Sequence, residues 1–533
     1  MMTIVWGTNI CRGSGAIPFQ GYEPRRHQTK HLLLDAQRWS QRTHLIQGAR
    51  RLTYESMFES IERVAADLHR AGLRPGDRLM ILAANSPEWV ITMWASVRLG
   101  AVTALGNGWW SPAEVAHAVS LIEPRLIVTD THRGALLPDT FPPQHVVDVS
   151  TVREWVDDVD RASERRVPEM DVSEDEPAFI IFTAGTTGFS KAVVLAHRSV
   201  ISNLHGLLAV SGRLPHLIDP DRPGAVVLQS GPLFHIGGLQ SLLLALVAGN
   251  TMVFLEGRFD AGEVIRLIDE ESVTVWGAIP TMASRVLEHP SLGERDLSRV
   301  RSISMGGAPV LPELAARLRV AFPGAERGMS TIYGMTETGG TVASASGKLM
   351  AEHPLTSGRP MPVVDLRIDA PDADGIGEIV VRTPGQMIGY WGIKAADIVE
   401  PDGWLHTGDL GRFTDGLLWV TGRSKDIIIR GGENIAAAHV EQALMTHPDV
   451  AAVAVVGLPD ADLGERVGAV VQLREGAVAT PSGLAEYASQ CLARFEVPAS
   501  WWLRYDEIPM SDAGKVEKHK LREKWPEAEV IAR

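Results

Sequence analysis

Cysteine, clustered positive charge and long apolar runs are all scarce in this chain. Of its 533 residues only Cys11 and Cys491 are cysteine, near opposite ends and without CxxC spacing. That excludes a disulfide framework or a zinc module and leads us to expect a reducing, cytoplasmic setting. Lys+Arg number 51 against 65 Asp+Glu, a net charge of −14. With no basic run beyond scattered pairs, a nucleic-acid track, which needs clustered cations, is not expected. The opening MMTIVWGTNICRGSG has too short an apolar stretch for a signal peptide, and the apolar segment around Trp89 to Leu105 is broken by Ser96 and Arg98. We therefore expect a soluble protein without stable membrane insertion. The C-terminal Val530-Ile531-Ala532-Arg533 matches no lipidation or peroxisomal signal. GxSxG, HExxH and a GxGxxG between strand and helix are also absent, so hydrolase, metalloprotease and dinucleotide readings find no support.

What is present is an α/β rhythm. Between Tyr54 and Ala71, Tyr54, Met57, Phe58, Ile61, Val64, Ala65 and Leu68 recur at three- and four-residue steps and predict an amphipathic helix ended by Arg74-Pro75-Gly76-Asp77. Arg78 to Leu82 then reads as a buried strand, and Pro87 to Leu99 as a helix beside it. Short apolar runs recur at 126–128, 225–228, 252–255 and 274–276, which predicts parallel, doubly wound sheets. From Val152 to Pro177 the charged composition predicts an exposed connection. From Gly358 the strands shorten and become glycine-punctuated, suggesting an antiparallel or barrel-like subdomain, and beyond Arg423 helix and strand alternate in a small α+β piece.

The strongest local signal lies between two apolar runs, Ala178 to Phe182 and Ala192 to Leu195. The intervening Thr183-Ala184-Gly185-Thr186-Thr187-Gly188-Phe189-Ser190-Lys191 combines glycines, hydroxyls and one lysine. Such a loop can turn backbone N–H groups toward one point and suits a polyphosphate. It is no Walker loop, because its flanks are strands and its spacing differs. Taken alone, an ordinary hairpin turn has the same composition.

The whole string resembles the phosphate loop of the adenylate-forming superfamily, which includes acyl-CoA synthetases, peptide-synthetase adenylation domains and firefly luciferase. Further segments resemble the family's signatures in order: Gly306-Gly307-Ala308-Pro309, Tyr333-Gly334-Met335-Thr336-Glu337, Trp404 to Asp409, Gly422 to Asp426, Gly431 to Ile435, and Gly514 to Lys518. The resemblance implies an acid–thiol ligase that uses ATP, Mg²⁺ and coenzyme A and passes through an acyl-AMP. It implies that Thr183, Gly185, Thr186, Thr187, Gly188 and Lys191 grip phosphates, and that Glu337, with Thr186, holds Mg²⁺. Thr336 would contact the α-phosphate, Gly307, Ala308, Pro309 and Tyr333 the adenine, Asp409 the ribose hydroxyls, and Arg423 ribose or phosphate oxygens. Lys515 would steady the α-phosphate and carboxylate during catalysis. The implied architecture is a large domain over 1–424, barrel-like from about 358, and a small mobile domain over 425–533 that swings about Lys425, with Gly432 beside the pantetheine arm.

Pro232 to Leu239 resembles the wall of the acyl pocket, with His235 as an aromatic gate beside Gly237 and Gly238. Trp276, Gly306, Gly334 and Met335 are candidates for the rest. An indole projecting into that slot favours a short or aromatic acid, although Trp276 serves equally well as core packing. No aspartate pairs a substrate ammonium there, as an amino-acid-activating domain would require. Ala184, Ser190, Ala192, Ala437, His439 and Met510 depart from the family pattern; Glu337, Asp409, Arg423 and Lys515 do not. Three readings therefore stand open: transfer to coenzyme A, delivery of the adenylate to a carrier protein or amine (or activation of a non-carboxylate oxyanion), and a catalytically silent nucleotide-binding protein. A homodimer is the default assembly.

Overall fold

A computed structural model describes residues 5–13, 19–158, 167, 170–183, 190–393, 399–430, 433–460, 463–510, 516–526 and 531–532. The chain divides into two compact units, Met1–Leu366 with Val381–Leu405, and Arg367–Val380 with His406–Arg533. The boundary expected at 424/425 thus lies inside the second unit.

In the first unit, the described strands form two large sheets. One runs in the order Gly389–Tyr390, Lys191–Ala196, Pro177–Thr183, Val102–Leu105, Arg78–Leu82, Leu126–Thr129 and Val146–Asp148. The other has nine strands, with Met329–Met335, Ser302–Gly306, Val275–Ala278, Val226–Gln229 and Thr251–Phe254 in neighbouring central positions. Their centres are parallel, as the apolar runs predict, but both carry antiparallel edges. The reason at Pro177–Thr183 is connection length: residues 184–190 are too few for the crossover of about a dozen residues that a parallel partner needs.

The helices start where their caps dictate. The hydroxyl of Thr53 accepts from Ser56 N at 3.1 Å and opens Tyr54–Arg70, whose apolar stripe buries Met57, Ile61, Val64 and Leu68. Ser86 accepts from Trp89 N at 3.2 Å and Pro87 takes the first helical position of Pro87–Arg98. That helix is buried on every face, including Trp89 and Trp94, which explains the apolar stretch without any membrane. No helix among the described residues is long and apolar enough to cross one.

The connection expected over 152–177 begins later than its charges suggest. Val149–Asp157 is a helix with Val152 and Val156 buried, and Arg63 Nη2 donates to Val156 O at 2.9 Å. Two valines at four-residue spacing anchor it, while Arg153 reaches the buried Glu88 carboxylate at 3.0 Å. Composition counted the arginine and acids as a solvated run and missed the stripe between them.

The second unit contains the paired residues Asp409–Thr414 and Leu417–Arg423 of a hairpin that turns at Asp415 and Gly416, both at positive φ. Its C-terminal sheet centres on the antiparallel pair Val450–Asp460 and Gly464–Leu473. Ile428, Val440, Leu444, Val467 and Leu503 form part of its core.

Three histidines of the first unit are buried and neutral. His44 donates from Nδ1 to Asn250 O at 2.9 Å, His205 from Nε2 to Gly7 O at 2.8 Å, and His197 Nδ1 accepts from Thr29 N at 3.2 Å. Burial pushes each down to about 4. The unfolded chain protonates them near 6.5, so it binds more protons than the folded chain between those values, and stability falls as pH drops through that window. Each contributes up to about 1.4 kcal/mol per pH unit. We expect Tm in a pH series to decline steadily from pH 6.5 toward 4; a flat Tm there would contradict neutral burial.

Candidate active site

The central strand Met329–Met335 runs directly into the 3₁₀ turn Thr336–Thr338, which closes at Gly339 with φ 70°. Thr338 is fully buried and its hydroxyl accepts from Met335 N at 3.2 Å, so the turn is fastened from inside. A Cβ on Gly339 would lie 1.9 Å from Gly385 O. Both the left-handed backbone and the contact demand glycine, and Gly339→Ala should cost roughly 3 kcal/mol or more in urea unfolding. An unchanged midpoint would refute this close approach.

This turn presents Glu337. Thr183 Oγ1 donates to Glu337 Oε1 at 3.3 Å, and the Tyr390 hydroxyl donates to the same oxygen at 3.2 Å. Lys191 Nζ stands 4.9 Å from the centroid of the Tyr390 ring. Thr183 and Lys191 are register partners in the hairpin, so one end of the glycine-threonine loop meets the carboxylate that the resemblance assigns to Mg²⁺, and the other stands over the ring of Tyr390, whose hydroxyl donates to it. The loop residues Gly185, Thr186, Thr187 and Gly188 lie outside the described residues. Burial and the adjacent Glu337 charge raise the Tyr390 phenol above its ordinary value, so its hydroxyl stays protonated and able to donate.

Among the described residues no three His, Cys, Asp or Glu side chains cluster as metal ligands. A single carboxylate with neighbouring hydroxyls is a hard-oxygen set. It fits Mg²⁺ shared with phosphate oxygens, and lacks the imidazole or thiolate that zinc prefers.

The parallel strands also end on this side of the nine-stranded sheet. Gly307, with φ 81°, Ala308 and Pro309 are exposed just past Ser302–Gly306, while Gly306, Tyr333, Met335 and Thr336 are half-buried. A Cβ at Gly237 or Gly277 would meet nothing within 4 Å, so both positions face open space. Gly238 and Gly334 are glycine for another reason: a Cβ there would lie 2.2 Å from Pro232 O and 2.0 Å from Gly340 O, respectively. Trp276 does not project into a slot. Its indole is wholly buried, donates to Ser230 Oγ at 3.0 Å and packs 5.7 Å from Phe322. The aromatic surface near His235 comes instead from Trp109, half-buried, which meets Phe234 edge-on at 5.0 Å, and Phe234 lies 4.6 Å from His235. Between helices His197–Val210 and Ile236–Val247 a narrow apolar cleft is lined by Val200, Leu204, Leu239 and Leu243, with Ile236, Gln240 and Gly339 also on its wall.

In the second unit Asp409 and Arg423 face each other across the hairpin, with Arg423 Nε 2.9 Å from Asp409 Oδ1. Asp409 is buried, its own N–H donating to Thr407 Oγ1 at 3.1 Å, and Gly408 takes φ 71° to make the turn. The backbone of Lys425 lies in the 3₁₀ turn Ser424–Asp426. Gly432 and Lys515 lie outside the described residues. Met510 and Val516 pair across 511–515, and Lys518 Nζ anchors to Glu441 Oε1 at 2.8 Å.

Tyr390 and Trp109 escaped sequence reading. Their available signals were Gly389-Tyr390-Trp391, an aromatic pair after a glycine, and the Trp109-Trp110 pair after Gly108.

Comparison with known proteins shows the family. The family model for AMP-binding enzymes matches residues 34–391, and that for the AMP-binding enzyme C-terminal domain matches 439–515. The chain belongs to the AMP-binding enzyme family. It is 32% identical over 493 residues to a feruloyl-CoA synthase of an Amycolatopsis species, covering 90% of this chain and 95% of the relative. It is also 32% identical over 502 residues to the fatty acid–[acyl-carrier-protein] ligase ScoC of Streptomyces coeruleorubidus, covering 89% and 92%. Among solved structures, the o-succinylbenzoate CoA synthetase of Bacillus subtilis in complex with its acyl-adenylate intermediate superposes with TM-score 0.79 at 27% identity, covering 93% of this chain and 98% of that one.

Proposed function

We propose that the protein activates an aryl carboxylic acid. It is an AMP-forming acid–CoA ligase that uses ATP, Mg²⁺ and coenzyme A. A carboxylate is a poor electrophile because its charge is delocalised; attack of its oxygen on the α-phosphorus expels pyrophosphate and leaves a mixed anhydride that a thiol can open. The observation that carries this reading is the Thr183 hydroxyl on Glu337 Oε1, with Tyr390 donating to the same oxygen and lying under Lys191. Lys191 and the loop hydroxyls hold the β- and γ-phosphates, and Thr336 contacts the α-phosphate. Glu337 and Thr186 hold Mg²⁺, which when bound neutralises charge on the phosphate oxygens. Gly307, Ala308, Pro309 and Tyr333 take the adenine, Asp409 the ribose hydroxyls, Arg423 ribose or phosphate oxygens, and Lys515 the α-phosphate and carboxylate. The small domain begins at Lys425 and swings about it, with Gly432 beside the pantetheine arm.

Support for an aryl acid comes from the Trp109–Phe234–His235 row and from the open positions Gly237 and Gly277, and from a relative named for a feruloyl group. Pyrophosphate release with coenzyme A should be fastest with aryl acids in a panel that also contains short and long aliphatic ones. Trp109→Ala should raise KM for the aryl acid about threefold to tenfold and leave a short aliphatic acid unaffected. Equal effects on both would remove Trp109 from the pocket. The ScoC relative supports a second reading, in which the acceptor is a carrier-protein thiol. Pyrophosphate release that a phosphopantetheinyl carrier protein accelerates and coenzyme A does not would favour it.

A further inference from the structure

Tyr390 lies in a segment held more firmly than its short strand suggests. Ser199 Oγ donates to Gln386 O at 2.8 Å, and Gln386 Nε2 donates to Gly403 O at 3.1 Å. Met387 N donates to the main-chain oxygen of Glu337 at 2.8 Å, and Ile388 N and Trp391 N donate to Val194 O and Ala192 O at 2.9 and 2.8 Å. Tyr390 is therefore registered against two things at once: the turn that carries Glu337 and the strand that leaves the phosphate loop. Its two ends use both. The hydroxyl reaches Glu337 Oε1, and the ring face lies under Lys191 Nζ.

A glutamate side chain left free at a turn samples several rotamers, and a cation that binds it must first select one. Among the described residues, the hydroxyls of Thr183 and Tyr390 both fall on Oε1, which holds the carboxylate in place and offers its other oxygen to a cation. The ring face supplies the negative potential that an ammonium seeks. We propose that Tyr390 is a positioning residue with two duties: its hydroxyl presets Glu337 for Mg²⁺, and its ring seats Lys191 for the polyphosphate. This rests on the reading of Glu337 as the metal carboxylate.

The two duties separate by substitution. Tyr390→Phe removes only the hydroxyl, whereas Tyr390→Leu removes the ring as well. The full-length protein is loaded with α,β-methylene-ATP, Mn²⁺ is the probe, and free Mn²⁺ is read by electron paramagnetic resonance. Tyr390→Phe should raise the Mn²⁺ Kd about tenfold and leave metal-free binding of the analogue within about twofold. Tyr390→Leu should also weaken metal-free analogue binding about threefold. Thermal unfolding of each variant is followed in parallel. A lowered Tm with an unmoved Mn²⁺ Kd in Tyr390→Phe makes the residue merely structural and overturns the proposal. Glu337→Gln serves as the reference. If it raises the Mn²⁺ Kd and Tyr390→Phe does not, Tyr390 alone is wrong; if neither does, the metal reading of Glu337 falls and this inference with it.

Discussion

Glu337→Gln is expected to lower kcat/KM for pyrophosphate release about 10²–10³-fold. The amide keeps one oxygen, so the hydroxyls of Thr183 and Tyr390 retain their acceptor. What it loses is the charge, and in place of the second oxygen it turns N–H groups on a cation that accepts only oxygen donors. The turn itself does not depend on the side chain: Thr338 fastens it from within, and Met387 N holds the Glu337 carbonyl at 2.8 Å. Tm should therefore move little while activity collapses, and added Mg²⁺ should restore part of it. Steady-state pyrophosphate release at several Mg²⁺ concentrations measures this. A variant with unchanged kcat/KM would remove Glu337 from the site.

Lys515→Ala should separate the two half-reactions. Acyl-AMP formation is expected to fall about 10²–10³-fold, because in the role proposed for Lys515 its cation offsets charge that develops only as the phosphorus is attacked. Thioester formation from supplied acyl-AMP should keep most of its rate, since the phosphorus–oxygen bond is by then made. The flanks of the segment are fastened independently of the lysine, by the Met510–Val516 pairing and by Lys518 on Glu441. A general collapse of the second unit is therefore not expected. Rapid-quench measurement of each half-reaction decides it: equal loss in both would mark a structural lysine, and full retention of acyl-AMP formation would exclude the role.

The regular parts of the fold were readable because burial and period coincide in them. Arg78–Leu82 and Tyr54–Arg70 match the apolar run and the helical stripe within one residue at each end. Val149–Asp157 did not, because its two buried valines are outnumbered by charge. Thr183 and Glu337 lie 154 positions apart, and only a resemblance could place them in one site before their contact was seen. Tyr390 had no such help: its strand is two residues long, too short for any period, and its position depends on pairing with Val193. Trp276 stayed open between pocket lining and core packing for a simple reason. Neighbours in a strand face opposite ways, and the sequence does not say whether Trp276 or Gly277 looks into the core. The structure buries the tryptophan and opens the glycine. The glycines divide similarly, since close backbone approach at Gly238 and Gly334 leaves the same letter in the sequence as open space at Gly237.

The central claim is that the acid's own oxygen attacks the α-phosphorus of ATP. It is tested most directly by supplying a turned-over acid with both carboxylate oxygens replaced by ¹⁸O, together with ATP, Mg²⁺ and coenzyme A, and analysing the products by mass spectrometry. The acyl-AMP route predicts one ¹⁸O in each AMP, one in each thioester and none in pyrophosphate. Unlabelled AMP, or label in pyrophosphate or inorganic phosphate, would contradict it.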